Sequence, residues 1–272
     1  MKRPVTERPD WPAAIRDVFV FFNGREPAGE PLEDRIVFYV QMLENFSLVQ
    51  SGKRVVDLGA GIYWFNPLVR KLGAEVILID DYGGGGGVDN ADRAPALKLV
   101  ERYRSELGLE VIEQDFLEKP LPLPDASVDA ITCFHSLEHW HHSPKNLFAE
   151  ITRVLKPGGH LFIATPNAAN LRKRIFVLFG ANIWSSLEEW YHEQPLFRGH
   201  VREPIVRDLH RIMEWNGFDV VATYGRNFIG RDSQVLSFLP RPLRHWLGRT
   251  TQSVLQYFPT LCSDIHVVGR KR

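Results

Sequence analysis

The segment between residues 54 and 80 constrains the fold of this chain more than any other. The apolar run Arg54–Leu58 predicts a buried strand, and Gly59-Ala60-Gly61 follows it as a tight turn. A helix over residues 66–72, begun by an asparagine cap and a proline, leads to a second strand, Glu75–Asp80. Two parallel strands need a crossover of this kind, usually a helix, so the segment predicts a β-α-β unit.

Strands and helices continue to alternate along the rest of the chain. Further strands are predicted at residues 109–114, 128–134, 160–164, 219–224 and 264–268, and helices at residues 97–107, 144–155 and 204–213. The strands are nearly continuous apolar runs, which is typical of a parallel sheet with helices on both faces. The sequence therefore predicts an α/β fold.

Two stretches interrupt this alternation of strands and helices, and a third precedes it. Residues 1–50 carry apolar side chains at helical spacing and predict a helical lead-in over the open edge of the sheet. Residues 51–272 form the predicted main domain, with insertions at about 168–200 and 231–260. We expect the lead-in and the insertions to form a lid over a bound substrate.

The charges and the cysteines exclude some classes of protein. Lysine plus arginine and aspartate plus glutamate each number 33, whereas a protein whose main partner is nucleic acid usually has a basic excess. The two cysteines, Cys133 and Cys262, do not make a disulfide framework. No apolar run reaches the ~18 residues of a membrane span and no signal-peptide pattern opens the chain, so we expect a cytoplasmic protein.

The ends of the first three predicted strands carry residues suited to holding a ligand. Ligands of open α/β sheets bind at the carboxyl ends of the strands, where Gly59 and Gly61 let the backbone come close because they lack a side chain. Asp80 is placed to accept hydrogen bonds from ribose hydroxyls, and Asp115-Phe116 to bind and cover an adenine ring. Each feature alone has a plainer alternative: a tight turn, a solvated loop acid or, for Asp115, a helix cap.

A series of motifs in order resembles that of class I S-adenosylmethionine-dependent methyltransferases, in particular the bacterial type 11 and type 23 groups. The motifs are Val55–Gly61, Asp80, Gln114-Asp115-Phe116, Ser127–Cys133 with Leu137-Glu138-His139, Leu155–Gly159 with Thr165-Pro166-Asn167, and His200–Glu203 with Gly217-Phe218. The match spans roughly residues 51–224 and the last strand. It departs from the family at Tyr63, where a third glycine is common.

The resemblance implies a fold, a cofactor and a set of contacts. The fold is a three-layer, Rossmann-like sheet of seven mostly parallel strands with an antiparallel last strand and helical lid insertions. The cofactor is S-adenosyl-L-methionine, and the protein is expected to be an enzyme that uses it as a methyl donor. The residues that the resemblance places against this cofactor are Asp57, Gly59, Ala60, Gly61, Asp80, Asp81, Asp115, Phe116, Phe134 and His135.

Histidines crowd the end of the fourth strand, at His135, His139, His141 and His142. The resemblance implies that His139 faces the substrate pocket, where it is predicted to be catalytic and to take a proton from a hydroxyl acceptor. The alternative is that His139 only hydrogen-bonds its own loop. No cysteine pair or acid spacing completes a known ligand pattern, so no metal is predicted.

Substrate contacts are predicted in and beside the first insertion, at Asn167, His192, His200 and Arg202, with solvated side chains as the alternative. In the same insertion, Arg172-Lys173-Arg174 precedes an apolar run. A basic, apolar surface of this kind suits peripheral contact with a membrane or a lipid-linked substrate. The alternative is a lid helix packed on the core.

The predicted activity is methyl transfer to a small-molecule, sugar or lipid-linked acceptor, with oxygen favoured as the attacked atom and no nucleic acid as partner. Two alternatives remain. A protein that binds the adenosyl cofactor without catalysis would explain the altered turn at Tyr63. An NAD-dependent oxidoreductase would share the fold and the ribose acid, but its Gly-x-Gly-x-x-Gly pattern needs glycine where this chain has Trp64.

Overall fold

The computed structural model describes residues 4–28, 33–83, 93–193, 197–227, 240, 243, 246, 247, 250, 252 and 254–272, except for the side chains of residues 93–96. Much of the predicted insertion at 231–260 therefore lies outside the described residues, as does most of the glycine run that begins at Gly83. Among the helices that are described, none is long and apolar enough to cross a membrane.

The described elements follow the predicted alternation. The helices are α1 (Trp11–Asn23), α2 (Asp34–Asn45), α3 (Phe65–Lys71), α4 (Arg93–Leu107), α5 (Lys145–Val154), α6 (Leu171–Leu178), α7 (Leu187–His192) and α8 (Val206–Trp215). The strands are β1 (Arg54–Leu58), β2 (Glu75–Asp80), β3 (Glu110–Glu113), β4 (Val128–Phe134), β5 (Leu155–Pro166), β6 (Phe218–Arg226) and β7 (Asp264–Lys271).

The seven strands form one sheet in the order β3-β2-β1-β4-β5-β7-β6. Strand β1 runs parallel to β2, with Val56 opposite Ile77, and parallel to β4, with Val56 opposite Ile131. Strand β7 is antiparallel to both of its neighbours, β5 and β6. The predicted α/β sheet, seven-stranded and mostly parallel with an antiparallel last strand, is therefore confirmed.

Two compact units make up the chain: a first unit of residues 1–132 with 153–159, and a second unit of residues 133–152 with 160–272. In the first unit, α1 and α2 both contact α3. Phe22 stacks on Trp64 with ring centroids 5.3 Å apart, and Phe19 meets the same indole edge-on at 5.7 Å. Because aromatic pairs add to the free energy of apolar burial, these rings hold the lead-in helices to the helix that joins β1 and β2.

In the second unit, β7 lies between β5 and β6 and pairs with both. His266, at its centre, is opposite Ala164 of β5 and Tyr224 of β6. A Cβ on Gly269 would lie 2.6 Å from the sulfur of Met213, so α8 packs against β7 where the strand has no side chain. Met213 and its neighbours follow the apolar spacing from which the helix was predicted.

The start of α3 differs from the prediction. The sequence predicted Asn66 as the N-cap and Pro67 as the first helical residue, but the helix begins at Phe65. Asn66 lies buried inside the first turn, and its Nδ2 donates a hydrogen bond to Oδ2 of Asp57 at 2.7 Å. A buried carboxylate needs such a donor, so the residue that resembles a cap makes a tertiary hydrogen bond instead.

The start of β5 also differs, since the strand begins at Leu155 and not at His160. Gly158 has a φ of 72°, a left-handed conformation that favours glycine. A Cβ on Gly159 would lie 2.9 Å from one backbone oxygen and 3.2 Å from another. The glycines predicted to separate helix from strand therefore let the strand itself bend and pack closely.

Asp129, on β4, joins the beginnings of two other strands. Its carboxylate accepts hydrogen bonds from the N–H of Arg54 at 3.1 Å, from Nζ of Lys53 at 3.2 Å and from Nζ of Lys156 at 2.8 Å. Burial alone would raise the pKa of Asp129, but the hydrogen bonds from Lys156 and Arg54 bring it below its usual value. Asp129 therefore supports the sheet.

We predict that Asp129→Ala lowers the free energy of unfolding by about 1–3 kcal/mol, because a backbone N–H and two lysines lose their acceptor. Asp125→Ala is the matched control, since the side chain of Asp125 is 77% exposed in its ion pair with Arg153 and should cost under about 1 kcal/mol. Urea denaturation of both variants measures the difference. Equal losses would contradict the assigned role of Asp129.

Candidate functional site

The turn after β1 presents bare backbone at the carboxyl end of the strand. Gly59 and Gly61 have φ angles of 70° and 50°, in the left-handed region that residues with a Cβ rarely adopt. The N–H of Gly59 donates to the backbone oxygen of Ile79 at 2.9 Å, and the N–H of Gly61 donates to Oδ2 of Asp80 at 2.8 Å. The turn is therefore tied to the end of β2, beside the point where the strand order reverses between β1 and β4.

Tyr63 lies against this turn. A Cβ on Gly61 would come within 2.8 Å of the tyrosine ring, so the ring covers the second glycine. The backbone oxygen of Tyr63 accepts a hydrogen bond from the hydroxyl of Tyr103 at 3.3 Å, and 38% of Tyr63 is exposed. The residue that departs from the family pattern is thus a side wall of the turn and leaves the two glycines in their left-handed conformations.

Asp57, the residue before the end of β1, is buried among hydrogen-bond donors. Oδ1 accepts from the hydroxyl of Thr132 on β4 at 2.6 Å, and Oδ2 accepts from Asn66 on α3 at 2.7 Å. Burial raises the pKa of Asp57 to about 6, and these two hydrogen bonds oppose the rise. The side chain therefore holds two strands and a helix together beneath the turn, and its predicted contact with a cofactor stays a prediction.

Asp80, the last residue of β2, organises the backbone around it. Oδ2 accepts from Gly61 and Oδ1 accepts from the N–H of Tyr82 at 2.7 Å. Burial raises the pKa of Asp80, and these backbone hydrogen bonds lower it in part. Since a carboxylate offers about four lone-pair sites, Asp80 keeps acceptor capacity for further donors. Asp81 accepts from the N–H of Gly83 at 3.0 Å in a local turn.

The end of β3 lies beside Asp80, because the N–H of Gln114 donates to the backbone oxygen of Asp80 at 2.9 Å. Asp115 comes next, and its Oδ1 accepts from the N–H of Leu117 at 2.9 Å. Phe116 is buried. The predicted adenine residues therefore follow directly on a residue bonded to the predicted ribose acid, although Asp115 also makes a local turn, as its capping alternative would suggest.

In the second unit, His135 follows β4 with a φ of 54°. Its ring lies between two carboxylates, with Nδ1 3.3 Å from Oε1 of Glu138 and Nε2 3.2 Å from Oδ2 of Asp264. Burial would lower the pKa of His135, but the carboxylates of Asp264 and Glu138 together raise it to about 9. The two carboxylates therefore favour the protonated ring, and the predicted cofactor contacts of His135 and Phe134 stay predictions.

Two further histidines, His139 and His200, meet edge to face with ring centroids 4.9 Å apart. Nδ1 of His139 is 2.7 Å from the backbone oxygen of Arg198, and Nδ1 of His200 is 2.8 Å from Oε1 of Glu203. The hydrogen bond to Glu203 raises the pKa of His200. Glu203 also pairs with Lys173, so the carboxylate that binds His200 is itself fixed by an ion pair.

A pocket of about 310 Å³ opens beside His200. Its lining residues are Asn182, Trp184, Ser185, Leu187, Trp190, Phe197, His200 and Val201. This volume and a mainly apolar, aromatic lining with a few polar groups are typical of a small-molecule site. The structure thus places His200, one of the predicted substrate residues, in the wall of a pocket.

The other predicted substrate residues lie elsewhere in the second unit. Asn167 is fully buried, and its Nδ2 donates to the backbone oxygen of Cys262 at 2.9 Å, so it fastens the segment before β7. His192 ends α7 and is exposed, and Arg202 is exposed with its N–H on the backbone oxygen of Glu138 at 3.2 Å. None of the three is among the described residues that line the pocket, and their roles in acceptor binding stay predictions.

Three residues of these clusters were not singled out by the sequence: Thr132, Glu203 and Asp264. A detectable signal existed for Glu203, because an acid three positions after a histidine is a common pairing distance in a turn. Thr132 and Asp264 meet Asp57 and His135 from distant segments of the chain. No local sequence pattern predicts such contacts.

Comparison with known families supports the fold described above. Residues 32–223 match the family model described as a methyltransferase domain, which is more than half of the chain. The chain therefore belongs to the methyltransferase domain family, and the predicted resemblance to class I methyltransferases is confirmed.

Among individual relatives, the chain is similar to ubiquinone biosynthesis O-methyltransferases. It is 28% identical to that of Cupriavidus pinatubonensis over 65% of this chain and 65% of the relative. It is 32% identical to that of Burkholderia thailandensis over 48% of this chain and 51% of the relative. The matches thus span between about half and two thirds of these relatives' length.

Solved structures support the fold. An S-adenosylmethionine-dependent methyltransferase from Mesorhizobium loti aligns with a TM-score of 0.52 and 19% identity over 85% of this chain and 96% of the other. The YcgJ protein from Bacillus subtilis aligns with a TM-score of 0.52 and 17% identity over the same shares. At these identities the likeness concerns the course of the backbone alone.

We predict that Asp57 makes stability depend on pH. Its pKa rises from 3.8 to about 6 on folding, so its favourable contribution is complete below about pH 4 and is lost as pH rises through 6. The loss amounts to about 3 kcal/mol at 1.36 kcal/mol per unit. Urea denaturation of the wild type and of Asp57→Asn from pH 4 to pH 7.5 should give a difference that changes by about 2–3 kcal/mol in favour of the variant. A constant difference would contradict the prediction.

Proposed function

We propose that this protein transfers a methyl group from S-adenosyl-L-methionine to a hydroxyl oxygen of a small, apolar acceptor. The observation that carries the proposal is the glycine turn after β1, hydrogen-bonded to Asp80 at the end of β2. Membership of the methyltransferase domain family supports methyl transfer. The relatives named ubiquinone biosynthesis O-methyltransferase support oxygen as the attacked atom.

The residues around the turn fit an adenosyl cofactor. The carboxylate of Asp80 has remaining acceptor capacity, which ribose hydroxyls would use. Asp115 and Phe116 would hold the adenine, since one offers a carboxylate and the other an aromatic ring. Gly59–Gly61 would let the backbone approach the cofactor, and Asp81, whose side chain closes the next turn, would keep the loop after β2 in place.

When bound, the cofactor supplies a methyl group on a sulfonium, which is a good leaving group. The chain therefore has to position the acceptor oxygen, exclude water and help remove the hydroxyl proton. The pocket beside His200 is suited to the first task because indole and phenyl rings line it. An apolar acceptor would be recognised by these rings.

The acceptor can also be lipid-linked. Neither α6 nor α7 buries a residue, so the predicted alternative of a lid helix packed on the core does not hold for these two helices. Leu178 and Phe179 are 82% and 83% exposed, close in sequence to the basic residues that begin α6. Contact of this apolar and basic segment with a membrane surface, or with an acceptor embedded in it, is part of the proposal.

His139 is proposed to help remove the acceptor's proton. Its Nδ1 faces a carbonyl oxygen at 2.7 Å, which requires the proton of the neutral ring to lie on Nδ1. Nε2 is then the ring atom with a lone pair. One nitrogen therefore contacts the segment before α8, and the other remains for chemistry.

We predict that the protein binds S-adenosylmethionine and S-adenosylhomocysteine in calorimetric titration and does not bind NAD. Asp80→Ala should weaken binding by about 1–3 kcal/mol, or about 5–150-fold, because charge-assisted hydrogen bonds are lost. Glu75→Ala, at the opposite and exposed end of the same strand, is the control and should bind like the wild type.

Other outcomes of the titration decide between the alternatives. Binding of NAD alone would overturn the proposal in favour of an oxidoreductase. Tight binding of both adenosyl compounds, with no S-adenosylhomocysteine formed on any of a series of phenols, catechols and alkylated hydroxyl compounds, would support a binding protein without catalysis.

We predict that Trp184→Ala raises the KM for an apolar acceptor about tenfold, since one aromatic wall of the pocket is lost. The rate of S-adenosylhomocysteine formation against acceptor concentration measures this. Trp215→Ala is the matched control, because Trp215 is 75% exposed on α8 outside the pocket lining, compared with 69% for Trp184. An unchanged KM in Trp184→Ala would place the acceptor elsewhere.

A further inference from the structure

Three side chains of the second unit converge as metal ligands commonly do. Glu138, His139 and His200 each offer a ligand atom, and these atoms all lie within 4.8 Å of one another. One carboxylate and two imidazoles make a common protein ligand set for a divalent transition metal. The first two residues are adjacent in the loop after β4, and the third lies on the segment before α8.

Glu138 provides an independent observation. Its side chain is fully buried, and neither Oε1 nor Oε2 has a hydrogen-bond partner among the described residues. The nearest basic side chain described is the ring of His135, 3.3 Å from Oε1, and that ring is shared with Asp264. A buried carboxylate costs several kcal/mol unless it is paired or binds a cation, so Glu138 is suited to binding one.

The two histidines are oriented as metal ligands usually are. His139 donates its Nδ1–H to the backbone oxygen of Arg198 at 2.7 Å, and His200 donates its Nδ1–H to Glu203 at 2.8 Å. Metal-binding histidines typically donate their second ring N–H to a carbonyl or a carboxylate, which fixes the tautomer. Nε2 is then the atom that both rings have left to offer.

We propose that Glu138, His139 and His200 bind one divalent transition-metal ion, of the class of Zn²⁺, Mn²⁺, Fe²⁺ or Co²⁺. Two nitrogen donors favour these ions over Mg²⁺ and Ca²⁺, which prefer oxygen ligands. Three protein ligands leave coordination positions open. The sequence predicted no metal because no local spacing completes a ligand set, and the structure supplies the third ligand from a distant segment.

The surrounding charges are compatible with a cation. Glu138, Asp264 and Glu203 bring three carboxylates to the cluster, where the ring of His135 lies between the first two and Lys173 pairs with the third. A divalent ion on Glu138 would compensate the remaining negative charge. Glu203 would act as a positioning residue, since it touches His200 and not the ion.

The proposed role of the metal rests on the proposed function, whereas the existence of the metal site does not. His200 lies both in the ligand set and in the wall of the pocket, so an acceptor in the pocket could place its hydroxyl oxygen on an open coordination position. The ion would lower the pKa of that hydroxyl. With the ion bound, Nε2 of His139 is a ligand and cannot take the proton, so the ion replaces His139 in that role. The proton would leave to solvent, the oxygen–methyl bond would form and the sulfur–methyl bond would break, with both electrons staying on sulfur.

The test is metal binding by the full chain, without acceptor or cofactor. After treatment with a chelator, Co²⁺ is titrated while the visible d–d absorption is recorded, and Zn²⁺ is titrated by calorimetry. We expect one equivalent of either ion to bind. Glu138→Gln and His200→Asn should each weaken binding at least about 100-fold, and Glu203→Gln about 10-fold or more.

His142→Asn is the matched control, because it removes an exposed histidine of the same loop, and it should bind metal like the wild type. Circular dichroism identifies variants that fail to fold, and if Glu138→Gln is one of them, His200→Asn decides. Absence of binding by the wild type, or equal binding by the wild type and His200→Asn, would overturn the proposal.

Binding of S-adenosylmethionine to the metal-free protein separates the two proposals. If the cofactor binds and no metal does, the proposed function stands and the metal site is excluded. If one metal ion binds and the cofactor does not, the metal site stands while the proposed function fails. Both proposals are supported when metal-free protein binds the cofactor and one equivalent of metal restores turnover.

Discussion

The hydrogen bonds of the buried Asp57 carboxylate hold together the part of the sheet on which the rest depends. One oxygen binds Thr132 on β4 and the other binds Asn66 on α3, so a single side chain joins the central strand, its parallel neighbour and the crossover helix. Burying this carboxylate is costly, as its raised pKa shows. These hydrogen bonds fix the position from which the turn after β1 starts, and the N–H of Gly61 in that turn donates a hydrogen bond to Asp80.

The second unit contains a different kind of constraint, namely several charges in a small buried volume. His135 lies between Glu138 and Asp264, while Glu203 holds both His200 and Lys173. Replacing buried ion pairs by apolar residues is often neutral or stabilising in other proteins, so stability alone does not account for this cluster. A requirement to hold a cation and orient an acceptor oxygen would account for it, and the pocket beside His200 is where the acceptor would lie.

Much of the fold could be predicted from local patterns, because strand and helix have different periods and glycine marks the turns. The β-α-β unit and the turn at Gly59–Gly61 were predicted in this way and are present, whereas the antiparallel direction of the last strand was implied by the family resemblance. Asn66 shows where such reasoning stops: asparagine before proline is a good cap, but here the amide is needed by a carboxylate nine residues away in sequence. Likewise, the glycines predicted to separate α5 from β5 lie inside the strand, where Gly158 has a positive φ and a nearby backbone oxygen leaves no room for a Cβ on Gly159.

By itself, the sequence determined the order of the elements, the class of the fold and the candidate nucleoside residues Asp80, Asp115 and Phe116, since these depend on short-range patterns at the ends of strands. Only the tertiary structure decided which partners these side chains have. Thr132 meets Asp57, Asp264 meets His135, and His200 joins Glu138 and His139. The physical reason is that the pairing of buried polar groups is set by which strands become neighbours, and the distance between partners in space is unrelated to their distance along the chain.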